Sequence, residues 1–136
     1  MRYGAGSVVE RIDNVGVVVT DLERALAFYR ALGFEVEDRE AETPSATVAV
    51  GGARLWLFQT RSRATAARDP SMTGNPPGFD HVSLWVGDVD AVAERLRAVG
   101  LSLESEPADQ PWGARATSLL DPDGNRIYLL GRLRGG

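Results

Sequence analysis

Residues 12–36 read IDNVGVVVTDLERALAFYRALGFEV, and residues 79–103 read FDHVSLWVGDVDAVAERLRAVGLSL. The two stretches align at a constant offset of 67 without a gap, and seven of their 25 paired positions are identical. The identities are Asp13/Asp80, Val15/Val82, Val19/Val86, Asp21/Asp88, Arg30/Arg97, Ala31/Ala98 and Gly33/Gly100. Average composition gives roughly one or two. Most of the remaining pairs keep their apolar or polar character, so the chain reads as a twofold repeat of one supersecondary unit.

Each unit opens as a strand. Val15, Val17 and Val19 alternate on one face, as do Val82, Leu84 and Val86. Asp21 and Asp88 then stand where a helix needs an N-cap. The stripes Leu22, Ala25, Leu26, Tyr29 and Val89, Val92, Ala93, Leu96 follow with helical spacing. Gly33 and Gly100 suit the left-handed position that ends a helix. Further strands are expected near 34–40, 45–51 and 53–60, and again near 101–105, 114–120 and 125–131. Val50-Gly51-Gly52-Ala53 and Asp121-Pro122-Asp123-Gly124-Asn125 supply the hairpin turns. The last strands match at an offset of 72, so the second half carries five extra residues.

The predicted fold class is therefore α+β: two tandem βαβββ modules forming a curved, cupped mixed sheet with the helices outside. The first module is expected at about 11–60 and the second at about 79–131 of a single domain spanning 1–136. Residues 61–78, rich in Arg, Ser, Pro and Gly, read as a connector with a short helical turn near 64–67; a mobile lid is the alternative.

Composition narrows the function. The 136 residues are 43% hydrophobic and 25% charged, an ordinary globular balance. The absence of Cys excludes disulfides, thiolate metal sites and a Cys nucleophile, and His81 is the single histidine. A net charge of −4 argues against a general nucleic-acid or anionic-membrane surface. No apolar run approaches a membrane span or a signal peptide, so the expected location is the cytoplasm.

Paired βαβββ units with Asp13-Asn14-Val15 and Asp80-His81-Val82 at their strand starts, and DPDGN near the end, resemble the vicinal oxygen chelate superfamily. That group includes glyoxalase I, bleomycin-resistance proteins, fosfomycin-resistance enzymes, methylmalonyl-CoA epimerase and extradiol dioxygenases. The resemblance covers about residues 11–131 and implies a homodimer, with modules paired within or between chains. In metal-dependent members four cavity positions carry His, Gln or Glu ligands; here they correspond to Asn14, Trp56, His81 and Tyr128. Only His81 is a good ligand. Asn14 offers a weak amide oxygen, Trp56 no lone pair, and Tyr128 a neutral phenol. The expectation is no metal and no other cofactor, a divalent ion entering only if carboxylates such as Glu10, Glu35, Glu37 or Glu104 are recruited.

The same positions offer aromatic surface. Strand alternation groups Arg54, Trp56 and Phe58, then His81, Ser83 and Trp85, then Arg126, Tyr128 and Leu130. Trp112 lies in Pro111-Trp112-Gly113, a placement similar to that of loop aromatics in the metal-free, drug-sequestering bleomycin-resistance-like branch. The expected ligand site therefore comprises Asn14, Arg54, Trp56, Phe58, His81, Trp85, Trp112, Arg115 and Tyr128. Arg54, Arg115 and Arg126 are the candidate partners for a carboxylate or phosphate. For Trp85, burial in the core is the competing reading, and Asp13 and Asp80 read as structural residues facing away. The leading function is a metal-free protein that binds a planar or apolar small molecule, an antibiotic or metabolite. The alternatives are a metal-dependent lyase, isomerase or dioxygenase, and a metal-free cyclase or epimerase with His81 as base and Tyr128 as donor.

Overall fold

The computed structural model describes residues 11–63 and 68–135. Its first half runs β1 (Val15–Val19), α1 (Leu22–Ala31), β2 (Glu35–Glu40), β3 (Ser45–Val50) and β4 (Ala53–Gln59). The second half repeats the order as β5 (His81–Gly87), α2 (Val89–Ala98), β6 (Ala108–Asp109), β7 (Arg115–Leu120) and β8 (Arg126–Gly131). The strands form two four-stranded mixed sheets, ordered β1-β4-β3-β2 and β5-β8-β7-β6. In each, the first strand lies parallel to the last, and the other pairs are antiparallel.

The parallel pairs set the two faces. Val15, Val17 and Val19 stand opposite Leu55, Leu57 and Gln59, while Val82 and Leu84 stand opposite Ile127 and Leu129. These rows lie under the helices. Leu22, Ala25, Leu26 and Tyr29 of α1 and Val89, Ala93 and Leu96 of α2 are buried, and residues of both halves join one apolar cluster. The caps form as their residue types require: Asp21 accepts from the Arg24 amide at 3.0 Å and Asp88 from the Ala91 amide at 3.1 Å.

The second edge strand departs from expectation. Residues 101–105 do not form it; the strand is the two-residue β6. The Glu104 amide still donates to the Ser118 carbonyl at 2.8 Å. The Ser105 carbonyl, however, accepts from the Thr117 hydroxyl rather than from a backbone amide, and Pro107 has no amide to give. Pairing resumes only at Ala108 and Asp109. The helical turn expected near 64–67 lies outside the described residues. Among the described residues no helix is long and apolar enough to cross a membrane.

The halves are tied together by the β7–β8 turn. Asp121 is buried and accepts from the amides of Asp123 and Asn125, from the Asn125 side chain, and from the Tyr29 hydroxyl of α1 at 2.8 Å. Asp123 accepts from the Thr20 amide and, at 2.6 Å, from its hydroxyl. Burial, then the Asp121 charge, push the Tyr29 phenol far above its ordinary value, so it stays a donor. Tyr29→Phe leaves Asp121 one partner short and is expected to cost about 2 kcal/mol. Urea denaturation measures this; a loss below about 0.5 kcal/mol would show that the bond does not tie the halves.

Candidate functional site

The face of the second sheet turned away from α2 carries a cavity of about 430 Å³. Its floor follows from register. Ser83 of β5 stands opposite Tyr128 of β8, and Ser118 and Ala116 of β7 stand opposite Tyr128 and Leu130. His81 opens the row at the start of β5. The loop ahead of β7 contributes Gln110 and Trp112, and Met72 reaches in from the connector. The extra length of the second half falls in this loop and in the β7–β8 turn, so the added residues help to build the wall.

His81 is held on two sides. Its Nδ1 lies 2.9 Å from Asp80 Oδ2, and its ring meets the Tyr128 ring edge-on with centroids 4.6 Å apart. Asp80 also accepts from the Asn75 amide group at 3.0 Å and pairs with Arg68 at 3.6 Å. The His81 hydrogen bond is the main cause holding the Asp80 carboxyl below its ordinary value, against an opposing effect of burial. Asp80 thus turns toward His81, whereas the sequence predicts that it faces away. It precedes the first residue of β5, so strand alternation does not fix its direction.

The connector is folded against this corner. Asn75 closes a loop by accepting from the Asp69 amide at 2.8 Å and donating to the Asp69 carbonyl at 3.0 Å. Arg68 donates to the Pro76 carbonyl at 2.9 Å. Within that loop Met72 has a φ of 63°, the one non-glycine residue with positive φ among those described. An unbranched side chain pays of order 1 kcal/mol for that backbone. Residues 61–78 carry no periodic signal, and only the closed loop reveals that Met72 lines the cavity.

The arginines do not serve an anion. Arg54 pairs with Glu37 at 2.6 Å. Arg115 forms a two-point bond to Asp90, at 2.6 and 3.1 Å, and reaches Asp109 at 3.3 Å. Arg126 is buried and grips both oxygens of Glu104, at 2.8 and 2.9 Å. Each carboxylate lies on a different segment of the chain from its arginine, which single-strand alternation does not disclose. Among the described residues no Asp, Glu, Lys or Arg lines the cavity.

The expected residues also separate in space. Tyr128, His81 and Trp112 share the cavity. Trp56 lines a different one, of about 420 Å³, on the first sheet beside Asp38, Arg39 and Thr47. Phe58 packs against Trp56, with ring centroids 5.4 Å apart. Trp85 is 65% exposed, so it is neither core nor cavity lining. Asn14 is exposed and donates to Asp13. The four positions matched to metal ligands thus do not converge. His81 and Tyr128 touch, Trp56 belongs to another cavity and has no lone pair, and the Asn14 amide nitrogen is spent on Asp13. Glu104 is committed to Arg126 and Ser118, Glu37 to Arg54, and Glu10 lies outside the described residues. Among the described residues no three His, Cys, Asp or Glu side chains gather. This donor set does not fit a metal.

The Glu104–Arg126 pair is tied to the cavity through Ser118, which lines it and donates to Glu104. The hydrogen bond from Arg126 holds Glu104 below its ordinary value, against partial burial. A depressed carboxyl adds stability that is complete above its unfolded pKa of about 4.3 and is lost as pH falls through the lower folded value. Arg126→Met is therefore expected to cost about 3 kcal/mol at pH 7. It should also flatten the fall in stability below about pH 4.3, as followed by urea denaturation from pH 3 to 7.

A family model described as Glyoxalase/Bleomycin resistance protein/Dioxygenase superfamily matches residues 11–129. No curated protein matches the chain. Among solved structures, a member of that superfamily from Sphaerobacter thermophilus is 28% identical with a TM-score of 0.70, over 93% of this chain and 100% of that one. TnmS3, an antibiotic binding protein from Streptomyces sp. CB03234, is 27% identical with a TM-score of 0.70, over 93% and 98%. A glyoxalase family protein from Enterococcus faecalis is 25% identical with a TM-score of 0.72, over 89% and 97%.

Proposed function

The chain belongs to the Glyoxalase/Bleomycin resistance protein/Dioxygenase superfamily, a fold that hosts several chemistries, and we propose from the site itself that it is a metal-free small-molecule binding protein. The observation that carries this reading is the cavity of about 430 Å³ with Trp112 on its rim and the Tyr128–His81 ring pair on its floor. Trp112 is 60% exposed, so its ring is open to contact by a ligand entering the cavity. The structural similarity to an antibiotic binding protein supports the same class of function.

Magnitudes place the affinity. Two aromatic contacts contribute about 1–3 kcal/mol. Burial of about 250 Å² of apolar ligand surface adds about 6 kcal/mol before association costs. Micromolar binding needs about 8 kcal/mol net, so after association costs a simple planar apolar compound is expected to bind more weakly than that, and polar contacts must supply the difference for a tighter ligand. A metal-dependent lyase or dioxygenase needs ligands that Asn14, Trp56, His81 and Tyr128 do not supply. The Asp80–His81 pair favours one second reading, a metal-free cyclase or epimerase. There Nε2 of His81 would take a proton and the Tyr128 hydroxyl would donate to the developing oxyanion.

Two measurements test the binding reading. Elemental analysis after incubation with nickel, zinc, manganese or iron is expected to find no stoichiometric metal; one ion per chain would overturn it. In a protein-observed NMR titration with 2-naphthol, the Trp112 indole and Ser83 amide are expected to shift. Trp112→Ala should then weaken binding about tenfold while leaving Tm within about 1 °C, as befits an exposed side chain.

A further inference from the structure

Among the described residues the cavity lining is rich in polar atoms and contains no Asp, Glu, Lys or Arg, and this combination selects a ligand class. Four of its polar side chains have already spent a proton inside the protein. The Thr117 hydroxyl donates to the Ser105 carbonyl at 2.6 Å, and the Ser118 hydroxyl donates to Glu104 at 2.8 Å. The Gln110 amide group donates to the Ala108 carbonyl at 3.3 Å. At His81, Nδ1 faces the Asp80 carboxylate, which is an acceptor only. The neutral imidazole therefore carries its proton on Nδ1 and leaves a lone pair on Nε2. Among the described residues Nε2 has no hydrogen-bond partner, and the edge contact with Tyr128 fixes the ring plane. What Thr117, Ser118 and His81 offer a ligand is lone pairs, and Gln110 keeps its carbonyl oxygen and one N–H.

Charge points the same way. Asp80 and Glu104 contact the lining through His81 and Ser118, and each is already paired with an arginine. An incoming carboxylate or phosphate meets neutral donors such as the Ser83 and Tyr128 hydroxyls but, among the described residues, no free cation, so its charge is left uncompensated as it loses hydration. An ammonium group meets no unpaired carboxylate among the described lining residues. We infer that the ligand is an uncharged aromatic molecule bearing a hydroxyl group, which donates to Nε2 of His81, and that the cavity rejects the corresponding anions and cations. This rests on the binding reading above and adds to it the chemistry of the group recognised.

The test uses the whole chain and four probes of one shape: 2-naphthol, 2-methoxynaphthalene, 2-naphthoate and 2-naphthylmethylammonium, each titrated by protein-observed NMR at neutral pH. The expected order is 2-naphthol tightest and its methyl ether about fivefold to tenfold weaker, as one neutral hydrogen bond dictates. The two ions should give no saturable shift at cavity residues. His81→Ala should make 2-naphthol and its ether equal. Because His81 is the single histidine, the imidazole nitrogen spectrum of the unaltered protein reads its tautomer directly, without relying on how the variant folds. Protonated Nδ1 with unprotonated Nε2 is expected. The opposite tautomer, equal binding of 2-naphthol and its ether by the unaltered protein, a surviving preference in His81→Ala, or tight binding of either ion would overturn the inference and leave the binding reading intact. Failure of all four probes to bind would overturn both.

Discussion

The buried carboxylate of Asp121 is the constraint around which the two halves are arranged. It closes its own turn through three hydrogen bonds and takes a fourth from Tyr29 of the opposite half. A buried anion must have its lone pairs filled. Satisfying Asp121 therefore places the β7–β8 turn over α1, where Asp123 meets the amide and hydroxyl of Thr20. The single apolar cluster shared by both halves fits around this polar joint.

The repeat is faithful where helices pack and free where they do not. Under the helices, alternating Val and Leu residues face one another in both parallel strand pairs. On the opposite face the two halves carry different side chains. The first sheet places Trp56 and Phe58 beside charged residues, whereas the second gathers His81, Ser83, Tyr128 and Trp112. Length has diverged with chemistry, since the longer second half spends its extra residues on the cavity loop and on the turn that binds α1.

The cavity's neutrality is itself a product of pairing. Arg115, Arg126 and Arg68 each stand near it, and each is matched to a carboxylate. These pairs are largely buried, and their local consequence is to remove free cations from the wall. The connector takes part in this, since Arg68 and Asn75 both reach Asp80, which in turn orients His81.

Local sequence determined whatever depends on neighbours along the chain. The helical stripes, the Asp21 and Asp88 caps, the strand faces of β4, β5 and β8, and the turn at 121–125 follow from spacing, side-chain reach and backbone preference, and all were legible. Tertiary structure decided what depends on residues distant in sequence. It paired each candidate arginine with a carboxylate on another element and turned Asp80 onto His81. It also put Trp56 and Tyr128 in separate cavities and brought Met72 to the rim. The physical reason is one of range: periodicity reports which face a side chain takes, whereas the partner it meets there is set by sheet order, register and the burial of charge.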